Sequence, residues 1–441
     1  MVKEFSVLAS ARRESQQWYI EEIPAIEHDD ESGEEACGRP SVSVKSKAGN
    51  STSKAFITLD TGSAAALDTP RSKVEATDGE DTSSRSNSET ACAQQLGGKG
   101  EKGPVGGSWS CKTFAASSST QQPSPRGGCS WTKMGSRLLL FGGADAHRQH
   151  FADIHSFDKT SGKWKKITVR GTPPSPRSGH SAVALGESLI VYGGMNGQDG
   201  VTFNDLFELR PGSAEGMEWF SLPCANTPPR NSHTAILDGE TMIIVGGASP
   251  EGQTNEVFTI DLSNRSDLTC RRVSCQPLEP RTGEAHSSDG CGAVPTAREM
   301  HSACAYDSKG AEGTRGTTIL VMGGRSAAGV LRDLFSLDTA DSWAWKRLKD
   351  APFARCAHSA CFMETAGVMA VFGGWDGGTT VANDLHLFSV RCGEWTTPSI
   401  SPRPVGRFAH AACADLKGKS VFVFGGVNPG EDLDDVLELS E

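Results

Sequence analysis

The chain has no long run of apolar residues. Across its 441 residues, no segment approaches the roughly 18 consecutive apolar residues of a membrane-spanning helix. The first residues contain only a short apolar run, which Arg12 and Arg13 interrupt, so the core of a secretory signal peptide is missing. We therefore expect no membrane span and a cytoplasmic location, with the nucleus as the alternative.

An excess of positive charge is also missing. The chain carries 43 Lys and Arg against 54 Asp and Glu, which gives a net charge of −11. Proteins that bind nucleic acid without sequence preference need a basic surface for the phosphates. We therefore expect no nucleic-acid partner.

Metal-binding cysteine motifs are absent. The 13 cysteines are spread along the chain without a Cys-x-x-Cys pair, and the spacings Cys270/Cys275 and Cys356/Cys361 resemble positions on strands. We expect buried, reduced thiols, no metal and no cofactor.

Aromatic residues nearly vanish between residues 27 and 106, where Ser, Thr, Gly, Glu and Asp dominate. Such a segment buries too little apolar surface to offset the entropy of ordering it. The sequence therefore predicts an N-terminal tail over residues 1–106 that is acidic and largely disordered. Residues 5–24 are more apolar, and either a short interaction motif or an unstructured terminus would explain them.

The rest of the chain repeats one pattern, which is clearest in residues 174–220. Four short apolar or alternating runs are separated there by turn residues, as in an antiparallel meander. A Gly-Gly pair ends the second run of each repeat, and successive pairs are 50 to 53 residues apart except for one interval of 77. The pairs begin at Gly142, Gly193, Gly246, Gly323, Gly373 and Gly425.

Charged residues recur at fixed places around each Gly-Gly pair. An arginine precedes the pair, and in five repeats a histidine follows that arginine by three residues, with Cys129 in its place in the first repeat. An acidic residue opens the third run. The arginines are Arg126, Arg177, Arg230, Arg298, Arg355 and Arg407, and the acidic residues are Asp153, Asp205, Glu256, Asp333, Asp384 and Asp435.

This pattern resembles the kelch repeat, with a tryptophan in the fourth run at Trp164, Trp219, Trp345 and Trp395. The resemblance covers residues 124–441 and implies an all-β, six-bladed kelch β-propeller, in which each repeat is one blade. The sixth repeat ends without a fourth strand. The segment around Trp109 resembles the one around Trp164, so we predict a propeller over residues 107–441 that this N-terminal strand closes, with Trp18 as the rival.

In a propeller the strands form the frame and the loops carry recognition. Connectivity places the b–c and d–a loops on one face, which we call the loop face, and the polar insertion at 273–295 is predicted to be a d–a loop above it. We expect a protein partner to bind there. The candidate contacts are Trp375 as the aromatic anchor, with Asp376, Arg325, His147, Arg148, His150, Asn196 and Asp199 around it.

The six arginines admit two interpretations. A ring of them near the central channel could bind phosphate or an acidic peptide, but each repeat also supplies an acidic partner. We favour structural ion pairs, and we interpret the repeated histidines as fold residues, because six separated histidines cannot form one metal site.

The chain is nearly all propeller, which is similar to stand-alone kelch proteins, among them a Rab-GTPase effector. We therefore expect a monomeric, non-enzymatic adaptor. The first alternative is a substrate receptor of a ubiquitin ligase, although no BTB or F-box segment is recognisable. The second is a metal-dependent kelch-type enzyme. The chain has only three tyrosines and no Glu-x-x-x-Asp-x-x-x-His run, which counts against kelch-type copper-radical oxidases and iron-dependent specifier proteins respectively.

Overall fold

The structure is a computed structural model that describes residues 12–14, 17–19, 107–114, 121–212, 216–277, 293–309, 315–340, 343–415 and 418–441. Every helix or strand assigned in these residues is a β-strand. Six sheets, each built on an antiparallel set of four strands, carry the repeats, and their innermost strands contact one another in a closed ring. The prediction of an all-β, six-bladed kelch propeller is therefore confirmed. The predicted disorder of residues 27–106 lies outside the described residues.

Each blade has four main strands, a to d from the centre outwards, and the fourth strand of blade six comes from the N-terminal side. In chain order the blades are Ser130–Met134, Arg137–Phe141, Ile154–Asp158 and Lys163–Lys166; Ser181–Leu185, Ser188–Tyr192, Leu206–Pro211 and Met217–Ser221; Thr234–Asp238, Thr241–Val245, Val257–Asp261 and Leu268–Val273; Ser302–Lys309, Arg315–Met322, Leu334–Asp338 and Ala344–Arg347; Ser359–Met363, Val368–Phe372, Leu385–Ser389 and Glu394–Thr396; Ala411–Ala414, Ser420–Asn428, Glu431–Ser440 and Ser108–Phe114.

Four blades carry a fifth strand that the sequence did not predict. In each, the linker that leaves strand d of the preceding blade pairs in parallel with strand d of the next blade and covers its outer edge. One of them, Gln276–Pro277, lies inside the segment 273–295 that was predicted to be a loop, and Val273 still belongs to strand d of blade three. Residues 278–292 lie outside the described residues. The fifth strands are Val169–Gly171, Cys224–Ala225, Gln276–Pro277 and Ser399–Ser401.

The ring is closed by the strand that contains Trp109. Ser108–Phe114 pairs antiparallel with Glu431–Ser440 and parallel with Ser399–Ser401. Trp109 is buried among the apolar side chains between blades five and six. The rival strand, Gln17–Tyr19, instead forms a short hairpin with Arg12–Glu14.

The core lies between the blades. Trp219 of blade two is 2% exposed, and its ring centre lies 5.1 Å from that of Phe141 in blade one. The Gly-Gly pairs make such close approach possible. Gly142 has a φ of 67°, and a Cβ there would lie 2.8 Å from both the carbonyl oxygen of Arg177 and Cε1 of His180 in the next blade.

A closed ring of backbone hydrogen bonds links neighbouring blades. In each blade the residue two places after the repeated arginine has a positive φ and donates its N–H to the equivalent carbonyl of the preceding blade, over 2.8 to 3.0 Å. The bond from Gly128 to Ala409 completes the circle. The six residues are Gly128, Gly179, Ser232, Met300, Ala357 and Ala409.

The repeated histidines join blades through side chains. His180, for example, contacts Ser130 of blade one with Nε2 and Oγ 3.0 Å apart. Burial lowers the pKa of all five repeated histidines to about 3. They therefore stay neutral in the folded protein at ordinary pH. The five contacts are His180–Ser130, His233–Ser181, His301–Thr234, His358–Ser302 and His410–Ser359.

Candidate functional site

The loop face rests on six buried arginines, each paired with the acidic residue of its own repeat. The five aspartate pairs have closest N–O distances of 2.5 to 3.2 Å, and Arg230 contacts Glu256 in the same way. Arg177 shows the arrangement in full, because it donates to both carboxylate oxygens of Asp205 and to the carbonyl oxygens of Ser175 and Gly193. The arginine thus fastens the loop before strand a to strand c.

These ion pairs bear on whether the six arginines could bind phosphate or an acidic peptide. The arginines are at most 9% exposed, and their guanidinium groups already face carboxylates. At Asp153 burial opposes ionisation, yet hydrogen bonds from His155 and Arg126 lower the pKa of the carboxyl group well below its ordinary value. An external phosphate would have to displace a carboxylate from each buried arginine, so the geometry favours the structural interpretation.

Trp375 lies on the b–c loop of blade five, and its side chain contacts Gly378 of the same loop and Phe408. Its indole N–H donates to the carbonyl oxygen of Gly378 over 2.8 Å, and its ring centre lies 6.4 Å from that of Phe408. The side chain is only partly exposed. Asp376 accepts backbone N–H bonds from Gly378 and Thr380, which shape the turn. Both side chains therefore stabilise the loop, and the part of Trp375 that stays exposed is its contribution to the face.

Arg325 and Glu299 form an ion pair in blade four. Two guanidinium nitrogens of Arg325 lie 3.2 and 2.5 Å from one carboxylate oxygen of Glu299, and Gln253 of blade three donates to the same oxygen over 3.0 Å. Because Glu299 directly follows Arg298, this contact links two neighbouring loops. The positive charge of Arg325 on the loop face is consequently balanced by the carboxylate of Glu299.

The b–c loop of blade one holds the three other candidates. His147 and Arg148 are exposed, and Arg148 has a φ of 63°. His150 is half-buried, with Nδ1 3.0 Å from the carbonyl oxygen of Arg148, while its Nε2 accepts the backbone N–H of Gly197 in blade two. Burial lowers the pKa of His150, so the ring acts as a neutral link between two loops.

Asn196 and Asp199 close the b–c hairpin of blade two. Asn196 is buried and donates its side-chain amide to a carboxylate oxygen of Asp199 over 2.8 Å, whereas Asp199 itself is exposed. Asn196 thus shapes the hairpin, and Asp199 is available to a partner.

Residues beyond the predicted set complete the face. Asp432 of blade six accepts the backbone N–H of Ala146 in blade one over 2.6 Å, and burial raises the pKa of its carboxyl group. The b–c loops also share a negative charge, which becomes visible when the six repeats are aligned. Five of the six loops carry an acidic residue, namely Asp145, Asp199, Glu251, Asp376 and Glu431.

Contacts between neighbouring loops hold much of the face in a fixed shape. Ala146 with Asp432, His150 with Gly197, and Gln253 with Glu299 join three pairs of adjacent blades. A surface that is ordered before binding loses less entropy when a partner docks. In the described part of the chain, no group of three or more His, Cys, Asp or Glu side chains is placed to hold a metal ion. The same residues include no helix that could span a membrane.

Comparison with known proteins finds a matching family profile and several similar proteins. The profile of the Attractin/LZTR1 β-propeller family matches residues 138–437. A leucine-zipper-like transcriptional regulator 1 homolog of Drosophila melanogaster is 26% identical over 307 residues, covering 66% of this chain and 28% of the relative. An F-box/kelch-repeat protein of Arabidopsis thaliana is 27% identical over 358 residues, covering 71% of this chain and 68% of the relative.

The chain also matches part of a much larger protein. The flagellar outer-arm dynein alpha chain of Chlamydomonas reinhardtii is 28% identical over 314 residues, which are 60% of this chain and 7% of the relative. The chain therefore spans only a small part of that relative and of the Drosophila one.

Proposed function

The chain belongs to the Attractin/LZTR1 β-propeller family, and from this membership we propose that it is a non-enzymatic protein-interaction module that binds a partner through its loop face. The observation that carries the proposal is the network of contacts between loops of adjacent blades, which surrounds exposed side chains such as Asp199. A rigid scaffold with polar loops is a common way to build a recognition surface.

Affinity capture with the intact protein tests this proposal. The loop-face variant combines Arg148→Glu with Gln198→Arg, which reverses or adds charge at two exposed positions in neighbouring loops. The matched control is Glu187→Lys, an exposed site on the turn between strands a and b, at the opposite end of the blade. Partners that the loop-face variant loses and the control retains support the proposal. Equal partners on all three proteins would contradict it.

A substrate receptor of a ubiquitin ligase is the second candidate, and the F-box/kelch-repeat relative is the observation that favours it. The same capture experiment separates the two. A receptor would bring down subunits of a ligase together with its substrate, and inhibition of the proteasome would raise the recovery of that substrate. An adaptor outside the ubiquitin system would show neither effect.

A further inference from the structure

Blade three differs from blades one and two at the foot of its b–c hairpin, Ala248–Ser249 and Gly252–Gln253. In blades one and two, the residue two places before the acidic residue is a phenylalanine, and the paired arginine stacks on its ring. The guanidinium carbon of Arg126 lies 3.8 Å from the ring centre of Phe151, and that of Arg177 lies 4.0 Å from that of Phe203. In blade three the equivalent residue is Thr254, which has no ring to fill this space, and blades four to six also have non-aromatic residues there, namely Leu331, Ala382 and Leu433.

A cavity of about 490 Å³ opens at this place. Pro228, Pro229, Phe258 and residues of the hairpin line it. Arg230, Glu251 and Glu256 are the charged side chains that line it.

Arg230 is held by fewer bonds than its equivalents. It is 4% exposed and donates to the carbonyl oxygen of Pro229 and to Glu256, whereas Arg177 makes four bonds. Its Nε–H has no partner in the described part of the chain, a feature that it shares with Arg355 of blade five. In blade two the equivalent Nε binds the carbonyl oxygen of Ser175, but the corresponding oxygen in blade three, that of Pro228, accepts the hydroxyl of Tyr192 instead.

An unpaired buried donor destabilises a protein, so an acceptor that reaches it is bound favourably. The guanidinium carbon of Arg230 lies 5.5 Å from the ring centre of Phe258, farther than Arg177 lies from Phe203, and Arg230 makes one bond to a carbonyl oxygen where Arg177 makes two. Its guanidinium is therefore fixed by fewer contacts and keeps a donor for an acceptor in the cavity. A neutral acceptor suits the site best, because Glu251 and Glu256 already outnumber Arg230 among the lining charges, while Arg272 contacts Glu256 from outside.

We propose that this cavity is a peptide subsite of the loop face, which takes a main-chain carbonyl on Arg230 and a lysine or arginine side chain beside Glu251. The proposal rests on the proposed function and specifies its partner as an extended segment with a basic side chain. Glu251 is exposed at the rim, where Ser249 orients its carboxylate over 2.6 Å. Acidic residues on four other b–c loops match the same charge preference.

Selection from a phage library of short random peptides on the full-length protein tests the proposal. Enriched peptides are then synthesised with a fluorescent label and titrated by anisotropy. Thr254→Phe fills the cavity with the residue that blades one and two already hold there, and Leu331→Phe makes the same change in blade four as the matched control. Glu251→Lys reverses the rim charge at an exposed site, so it tests the cavity even if Thr254→Phe melts early.

The expected peptides contain lysine or arginine. They bind the wild type and Leu331→Phe within about twofold, and bind Thr254→Phe and Glu251→Lys at least about tenfold more weakly. Failure to enrich any peptide, enrichment of acidic peptides, or equal affinity for Thr254→Phe would overturn the subsite. If partner capture still depends on Arg148 and Gln198 in that case, the interaction face stands and only the subsite falls.

Discussion

Cys129 and Ala411 meet in one apolar cluster between blades six and one, at the two positions where other blade boundaries join a histidine to a hydroxyl group. At this boundary both the histidine and the hydroxyl residue of the other five boundaries are thus replaced. The compensation lies two residues further along strand a, where the other blades have alanine and blade one has Trp131. Its ring stacks on Phe424 of blade six with centres 5.6 Å apart.

The boundary between blades six and one therefore depends on aromatic packing. We expect Trp131→Ala to lower the free energy of unfolding by about 3–5 kcal/mol, because it leaves a cavity that no neighbouring group fills. Adding Cys129→His and Ala411→Ser to that variant restores the contact found at the other boundaries and regains about 1 kcal/mol. Urea denaturation measures both. If Cys129→His and Ala411→Ser give no gain in the Trp131→Ala background, the two types of boundary are not interchangeable.

The arginine pairs differ in how much they contribute to stability. Asp333→Ala leaves Arg298, which is 1% exposed, as an uncompensated buried charge, so we expect a loss of about 3–5 kcal/mol. Asp384→Ala should cost about 1 kcal/mol, since the side chain of Asp384 is 40% exposed and its bonds to Arg355 are longer. Thermal and urea unfolding of the two variants gives the order, and equal losses would contradict it.

The buried histidines make stability depend on pH. Their pKa is about 3 in the folded protein and about 6.5 when unfolded, so between these values the unfolded chain binds more protons. Stability is therefore complete above pH 6.5 and falls as the pH drops, by about 1.4 kcal/mol per pH unit for each histidine.

Denaturation at several pH values between 6.5 and 4.5 tests this dependence, in a range above the ordinary pKa of most carboxylates. His358→Gln keeps a polar group beside Ser302 and removes one titrating site, so its unfolding free energy should fall less steeply with decreasing pH. Parallel pH profiles for the variant and the wild type would show that His358 is not kept neutral by the fold.

Closure through Trp109 predicts that the N-terminal tail is dispensable for the propeller. Removal of residues 1–100 should leave the melting temperature unchanged, because strand Ser108–Phe114 is retained. Trp109→Ala should destabilise the protein by about 3–5 kcal/mol, since that side chain is 4% exposed between blades. A collapse on removing residues 1–100 would shift the closing role to residues near Trp18.

The sequence predicts much of the frame and less of the surface. The spacing of the Gly-Gly pairs is enough to place all six blades, and the acidic residue in each repeat is enough to suggest a partner for each arginine. The fifth strands escape such reasoning, because two or three residues in parallel pairing leave no periodic signal. Trp375 was predicted as an anchor from its Gly-rich loop, but the bond from its indole to Gly378 depends on loop conformation.

The cavity of blade three is an intermediate case. Thr254 is unremarkable alone, and its meaning emerges only beside Phe151 and Phe203 in the aligned repeats. The missing ring can thus be read from the sequence, whereas the unpaired Nε–H of Arg230 cannot, because it depends on where the hydroxyl of Tyr192 points.

The ring of backbone bonds from Gly128 round to Ala409 has a consequence for how the propeller opens. A linear array of repeats frays from its two ends, where each terminal unit has one neighbour. A closed circle has no terminal unit, so releasing any blade requires two boundaries to separate at once. Amide hydrogen exchange at the six ring positions should therefore proceed at nearly one common rate, whichever blade carries the amide.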